Sequence, residues 1–143
     1  MGKKRVIKKG GGSDVMGTSR ALGRVPKKKV AEGVLNILAT FNNTIVTLSD
    51  AKGNSLIAAS SGALGFKGSR KSTPFAAAKV GEILGEKASQ MGMKDVAVVI
   101  KGVGAGRESA LRAFAGKGIN IKKITDRTPV PFNGPRAKKA RRV

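Results

Sequence analysis

The chain has no cysteine and no histidine in its 143 residues. Without cysteine there is no disulfide framework, no thiolate metal site and no thiol nucleophile. Without histidine the usual neutral-pH general base, the Ser-His-Asp arrangement and most zinc ligand sets are missing. Tryptophan and tyrosine are absent too, and phenylalanine numbers only 5. The acids number 8 and are scattered, so carboxylate chemistry has little to work with. The longest apolar run, Val96–Ile100, is far short of the ~20 residues of a membrane span. The N-terminus is basic but lacks the apolar stretch of a signal peptide. MGKKRV opens like a myristoylation site, yet Val6 stands where Ser or Thr is needed. Lys3-Lys4-Arg5 reads as a nuclear signal or as the short basic run common in nucleic-acid binders. The expectation is a cytoplasmic protein that is not an enzyme, with no cofactor, no metal, no membrane and no small-molecule substrate.

What the chain does have is positive charge, 29 Lys+Arg against the 8 acids, for a net +21. Residues 1–29 hold ten basic residues and Asp14, giving +9. Residues 126–143 hold six and Asp126, giving +5. The middle, 30–125, holds thirteen and six, giving +7. A domain with a basic arm at each end is the electrostatic form of a chain that lies on a polyanion, usually nucleic acid. The expected organisation is a flexible arm over 1–29, an α/β domain over 30–125 and an extended tail over 126–143. The arm, with Gly10-Gly11-Gly12 and little apolar content, orders on a partner or serves as a solubilising tail.

From Val34 the pattern becomes regular. Leu35, Ile37, Ala39 and Phe41 alternate with Asn36, Leu38 and Thr40, which predicts a strand. Asn42-Asn43 predicts a tight hairpin, since Asn tolerates positive φ. Thr44–Ser49 and Ser55–Ser60 follow as strands around the turn Asp50–Asn54. After the Gly- and cation-rich stretch 62–72, Thr73 is an N-cap candidate and Pro74 suits the first helical position. Ala76, Val80, Ile83, Leu84 and Met91 share one helical face, and Gly92 ends the helix. Gly81 and Gly85 lie one turn apart, where close packing on the sheet is expected. Asp95–Lys101 reads as a buried strand, Arg107–Ala115 as a short helix with Ala110, Leu111 and Phe114 inward, and Ile119–Ile124 as the last strand. The order β-β-β-α-β-α-β requires a mixed sheet with right-handed crossovers and helices on its faces.

Three segments carry chemistry. Gly65–Pro74 places Lys67, Arg70 and Lys71 with Ser69, Ser72 and Thr73 just before a helix N-terminus, where backbone N–H groups favour anions. Gly65 and Gly68 permit close backbone approach, and Arg can grip two phosphate oxygens. Phe66 is either core or a stacking surface for an unpaired base. The loop also meets most of the P-loop pattern but has Arg70 where Gly is required, and no Asp follows the apolar strand to hold magnesium. Lys101–Arg107 is a second Gly loop, either a backbone-phosphate contact or a tight strand-to-helix turn. Asp50 and Asp95 suggest a metal-holding pair or, more simply, a turn residue and a strand start. In the tail, Pro129, Pro131 and Pro135 enforce extension. A basic tail with Phe132 suits threading between RNA helices. Asn133-Gly134 is also prone to deamidation, which makes isoaspartate at Asn133 a hypothesis that unchanged Asn133 in peptide mapping of aged protein would count against. A DNA-compacting protein shares this composition, and binding of duplex DNA would separate the two.

ATFNNTIVTLSD (39–50), GFKGSRKSTPFAAA (65–78), KGVGAGRESALRAF (101–114) and DRTPVPFNGPRAKKARRV (126–143) closely resemble the bacterial-type S-eleven family of small-subunit ribosomal proteins. The resemblance covers roughly 30–143 in register. Phe132, Pro135 and Val103 stand where that family often has His, Cys and Pro. The resemblance implies a three-layer α/β/α fold with a mixed five-stranded sheet, ribonuclease H-like in outline but not a nuclease. It implies a structural role in translation, on the platform of the small subunit, bridging several helices of its ribosomal RNA beside the cleft for the messenger leader. Implied partners are that RNA, the messenger RNA leader, neighbours of the S-seven and S-eighteen families, and initiation factor three. It implies RNA contacts at Asn42, Asn43, Lys67, Gly68, Ser69, Arg70, Lys71, Ser72, Thr73, Gly104, Gly106 and Arg107. In the tail it implies Arg127, Thr128, Pro129, Asn133, Gly134, Arg136, Lys138, Lys139, Arg141 and Arg142. The expected place is the ribosome of the cytoplasm, with a plastid origin left open.

Overall fold

The computed structural model describes residues 28–140, so most of the N-terminal arm, Arg141 and Arg142 lie outside the described residues. Five strands, β1 (Glu32–Ala39), β2 (Thr44–Asp50), β3 (Ser55–Ser60), β4 (Asp95–Lys101) and β5 (Asn120–Asp126), form one sheet in the order β3-β2-β1-β4-β5. The first three are an antiparallel meander, whereas β4 runs parallel to both β1 and β5. Helix α1 (Pro74–Gln90) connects β3 to β4, and α2 (Gly106–Ala115) connects β4 to β5. The α/β class and mixed five-stranded sheet are those expected.

Alternation decides which face is buried. Leu35, Ile37, Val46, Leu48, Val96 and Val98 point to one side and are almost solvent-free. They meet Ala77, Val80 and Leu84 of α1 and Ala110 and Phe114 of α2 in a single core. Each large apolar side chain in it is worth about 1.5–3 kcal/mol of burial. Both crossovers step across the sheet in the same direction. Right-handed connections therefore put both helices on the same face. The other face presents Val34, Asn36, Leu38, Ile45, Thr47 and Val99, half-buried or exposed. Of the two helical layers that the resemblance implies, the described residues build one.

Helix α1 starts as expected. Thr73 is extended, its hydroxyl accepts from the Ala76 N–H at 3.3 Å, and Pro74 opens the first turn. Gly92, at φ +77°, takes the left-handed conformation just after the helix. Gly81 and Gly85 serve a different surface from the one expected. A Cβ on Gly81 would overlap the Ala110 carbonyl and come within 3.1 Å of the Ala113 Cβ. One on Gly85 would sit 3.2 Å from the Phe114 carbonyl oxygen. The close approach that these two glycines allow is to α2 and not to the sheet, because both helices occupy one face.

The first hairpin also differs. Strand β1 stops at Ala39, and Phe41 is 75 % exposed rather than inward. The loop is Thr40-Phe41-Asn42-Asn43, closed by a bond from the Thr40 N–H to the Asn43 carbonyl at 2.9 Å. The Thr40 hydroxyl accepts from the N–H groups of Asn42 (3.3 Å) and Asn43 (3.1 Å). Neither Asn has positive φ. A threonine that satisfies two backbone donors removes the need for a two-residue turn.

Candidate nucleic-acid interface

Topology gathers the functional segments at one edge. Strands β1, β3, β4 and β5 are mutually parallel, so their carboxyl ends lie at the same end of the sheet. From that end emerge the hairpin 40–43, the loop 61–73, the glycine loop 102–105 and the tail from 127. Segments as far apart in sequence as Asn42 and Arg127 thus share one edge, the side where open α/β sheets commonly bind ligands.

The loop after β3 folds back on the sheet before α1 begins. The Ser61 N–H donates to the Thr44 carbonyl at 3.0 Å and the Phe66 N–H to the Ser61 carbonyl at 3.3 Å. Gly68–Ser72 forms a 3-10 helix. The Ser72 and Thr73 hydroxyls donate to the carbonyls of Ser69 (3.1 Å) and Arg70 (2.7 Å). Lys67, Gly68, Ser69 and Arg70 are exposed, whereas the Lys71 stem lies near Gly62. Phe66 is half-buried on the core, and the 3-10 helix occupies the place where a nucleotide-cradling loop would wrap a phosphate.

The glycine loop is a close contact between strand ends. Gly102 has φ +94°, and a Cβ there would come within 2.9 Å of the Ala39 carbonyl carbon. A Cβ on Gly104 would be 2.8 Å from the Thr40 carbonyl carbon, and the Gly104 N–H donates to the Ala39 carbonyl at 2.9 Å. Gly106 meets Ala77, 2.7 Å from where its Cβ would be. These glycines join the β1–β2 hairpin, α1 and α2 into one rigid edge.

Arg107 ties the tail to this edge. Its guanidinium donates to the Gly102 carbonyl, to the Thr128 hydroxyl at 3.3 Å and to the Asp126 carboxylate at 2.5 Å. The Thr128 hydroxyl donates to Asp126 at 2.6 Å and accepts from the Gly102 N–H at 3.2 Å. The Thr128 N–H donates to Asp126 at 2.8 Å. The Thr128 hydroxyl and the Arg107 guanidinium, with the Thr128 N–H, hold the Asp126 carboxyl well below the usual carboxylate range. Beyond Thr128 the tail is exposed and irregular, with Pro129, Gly134, Arg136, Lys138 and Lys139 on the outside. Asn133 alone among the described non-glycine residues has positive φ, at 56°, as an Asn-Gly turn allows.

Charge pairing sharpens the edge. All seven described acids are within 4 Å of a cation: Glu32, Asp50, Glu82, Glu86, Asp95, Glu108 and Asp126. Asp50 accepts from Lys52 and Asn54 in its turn, and Asp95 accepts from Asn120, at the end of the sheet away from these loops. The Asn54 side chain holds the Asp50 carboxyl below its ordinary value, and Asn120 does the same for Asp95. Both are therefore structural anions. Lys67, Arg70, Lys71, Lys101 and Arg127 enter no ion pair among the described residues. The described acids are all paired, which leaves these edge cations unpaired, as it leaves Lys52 and Lys94 at the opposite end of the sheet.

Two features escape a linear reading. The Asp126–Thr128–Arg107 clip spans two segments that only the sheet brings together. Phe75, on the first turn of α1, is 63 % exposed. Its 3.6-residue periodicity with Lys79 and Glu82 marks the polar face and was the available signal.

A family model described as ribosomal protein S11 matches residues 33–142. Small ribosomal subunit protein uS11 of Leptothrix cholodnii is 51 % identical over 129 residues, covering 90 % of this chain and 96 % of that one. Its counterpart in Paraburkholderia xenovorans is 57 % identical over 117 residues, covering 82 % and 87 %. That of Burkholderia cenocepacia is 56 % identical over 117 residues, covering 82 % and 88 %. The basic loop edge, the tail and the match along most of the chain have one reading: the chain belongs to the ribosomal protein S11 family, a family of structural components of the small ribosomal subunit and not of enzymes.

Proposed function

We propose that the protein binds small-subunit ribosomal RNA through the loop edge and the tail, as a clamp on RNA helices of the platform near the messenger-leader cleft. One observation carries this reading: the cations of three separate segments, the loop 61–73, the end of β4 and the tail, converge on one sheet edge and enter no ion pair among the described residues. Binding energy then comes mainly from phosphate contacts and shape, with little base readout. Lys67, Ser69, Arg70, Lys71, Ser72 and Thr73 would hold one phosphate run. Asn42 and Asn43, with the backbone at Gly104 and Gly106, would hold a second. Arg127, Arg136, Lys138 and Lys139 would follow a third. Arg107 acts chiefly by aiming the tail. Proteins of the S-seven and S-eighteen families and initiation factor three are the proposed protein neighbours, and the ribosome of the cytoplasm the proposed place.

The test is binding of the full chain to refolded small-subunit RNA across a salt series. Wild type should show a log-affinity against log-salt slope of about −4 to −5 for six phosphate contacts. Arg70→Ala with Lys71→Ala should lower that slope by about 1.5 and weaken incorporation into the subunit, with the thermal midpoint unchanged. Normal incorporation of the double variant in competition with wild type, or equal affinity for duplex DNA, refutes the proposal.

A further inference from the structure

Beside the 3-10 helix lies a cleft of about 610 Å³, within the range of small-molecule sites. Its apolar surface comes from Leu64, Phe66 and Phe75, and Lys67 and Arg70 stand at its lip with no carboxylate among the lining residues. Phe66 packs on the core and meets Phe75 edge-on, with ring centres 6.1 Å apart and planes at 82°. The Lys79 ammonium lies 5.7 Å from the Phe75 ring centre. Phe75 is therefore held from two sides while most of its surface stays in water. An exposed aromatic ring held in advance, with cations around it, is costly to a free domain and useful to a partner that brings a flat apolar face and an anion.

We propose that this cleft receives one unpaired nucleobase, stacked on Phe75, with the phosphate of the same nucleotide gripped by Arg70 and Lys67. The inference rests on the RNA-binding reading above and deepens it, since it adds a base-recognition site to an interface otherwise made of phosphate contacts. A paired base cannot enter, because its faces are covered by neighbours in the helix. The RNA at this position must be a loop, bulge or junction. A protein side chain could fill the apolar floor, but nothing in such a side chain answers the two cations at the lip.

The deciding experiment compares full-length wild type, Phe75→Ala, Phe75→Leu and Phe75→Trp on refolded small-subunit RNA. Affinity is measured over a salt series, and each RNA base is probed chemically for accessibility in the complex. Phe75→Ala should weaken binding about 5- to 150-fold, the range of one base–aromatic stack. The salt slope should stay that of wild type, because no phosphate contact is lost. One unpaired nucleotide should become reactive, and Phe75→Trp should restore both affinity and protection. Wild-type affinity and reactivity in Phe75→Ala overturn the inference. So does full restoration by Phe75→Leu, which means an apolar seat without stacking. Lost subunit incorporation with intact RNA affinity also overturns it and points to a protein in the cleft. If wild type itself does not bind the RNA, the broader reading fails, a result distinct from the others. Should Phe75→Ala unfold, the Leu and Trp variants decide alone.

Discussion

Replacing Gly81 with Ala sets two known effects against each other. In a helix interior the substitution should stabilise by about 1 kcal/mol, because Gly loses more backbone freedom on folding. Here the new methyl overlaps the Ala110 carbonyl of α2 and crowds the Ala113 Cβ at 3.1 Å. A backbone carbonyl inside a helix cannot rotate away, so α1 and α2 must separate. That loosens Val80, Leu84, Ala110 and Phe114 together, all of them buried. Overpacking of this kind costs about 1–3 kcal/mol, and an immovable neighbour places it at the upper end. The net expectation is a loss of about 2 kcal/mol, or a fall of roughly 10 °C in Tm for a domain of this size. Two controls use the same chemistry. Gly116 has φ −60° at the end of α2 and no atom nearer than 3.5 Å, so Gly116→Ala should be neutral or gain up to ~1 kcal/mol. Gly85→Ala meets Lys117 at Cγ (2.7 Å) and Cβ (3.0 Å), close to its backbone, and the Phe114 carbonyl oxygen at 3.2 Å, so it should also destabilise, by less than Gly81→Ala. Urea unfolding followed by circular dichroism reads all three. If Gly81→Ala proves as stable as Gly116→Ala, the close helix–helix contact does not exist and the account of the two glycines would be wrong. The contact also bears on function, since α1 carries Thr73 and Phe75 while α2 carries Arg107.

Thr73→Ala removes the N-cap bond to Ala76 and should cost about 1 kcal/mol by urea midpoint, with Thr73→Ser near neutral. Arg107→Ala should free the tail, so trypsin cuts at Arg127 faster than in wild type. Arg107→Lys should rescue only in part, because an ammonium cannot serve three acceptors in fork geometry. An unchanged cleavage rate in Arg107→Ala would show that Arg107 does not hold the tail. The pH dependence follows from Asp126, whose folded-state pKa lies below its unfolded value. Its stabilising contribution is complete above the unfolded pKa of about 4 and is lost as pH falls through the lower folded value. Asp126→Asn should therefore lower Tm at pH 7, with the difference from wild type shrinking below about pH 4; a difference constant down to pH 2 contradicts the assignment.

Much of this molecule is legible residue by residue. Strand β4 reads from Val96–Ile100, and α1 reads from Thr73, Pro74 and the spacing Ala76, Val80, Leu84, because caps and periodicity are local properties of the chain. The basic loop at Lys67–Lys71 is equally local. The hairpin at Asn42-Asn43 misleads for a local reason of another kind, since Thr40 supplies a side-chain acceptor that no dipeptide rule counts. Gly81 and Gly85 announce a close approach but not its partner, which depends on where the second helix lands. Phe66 takes the core alternative, and Phe75 stays outside, for the same reason: the inward face of α1 excludes Phe75, and the return of the loop onto the core takes Phe66.

The sequence by itself determined the charge, the absence of the usual catalytic side chains, the element order and the family, since all of these are properties of composition and local pattern. Only the tertiary structure decided that both helices share one face, through two same-handed crossovers in one direction. Only it decided that four parallel strand ends deliver their loops to a single edge, and that every described acid is paired while Lys67, Arg70, Lys71, Lys101 and Arg127 are not. Such facts depend on contacts between residues dozens of positions apart, such as Arg107 with Asp126 and Gly104 with Thr40. A linear pattern does not contain them, because long-range pairing is set by which faces must be buried together.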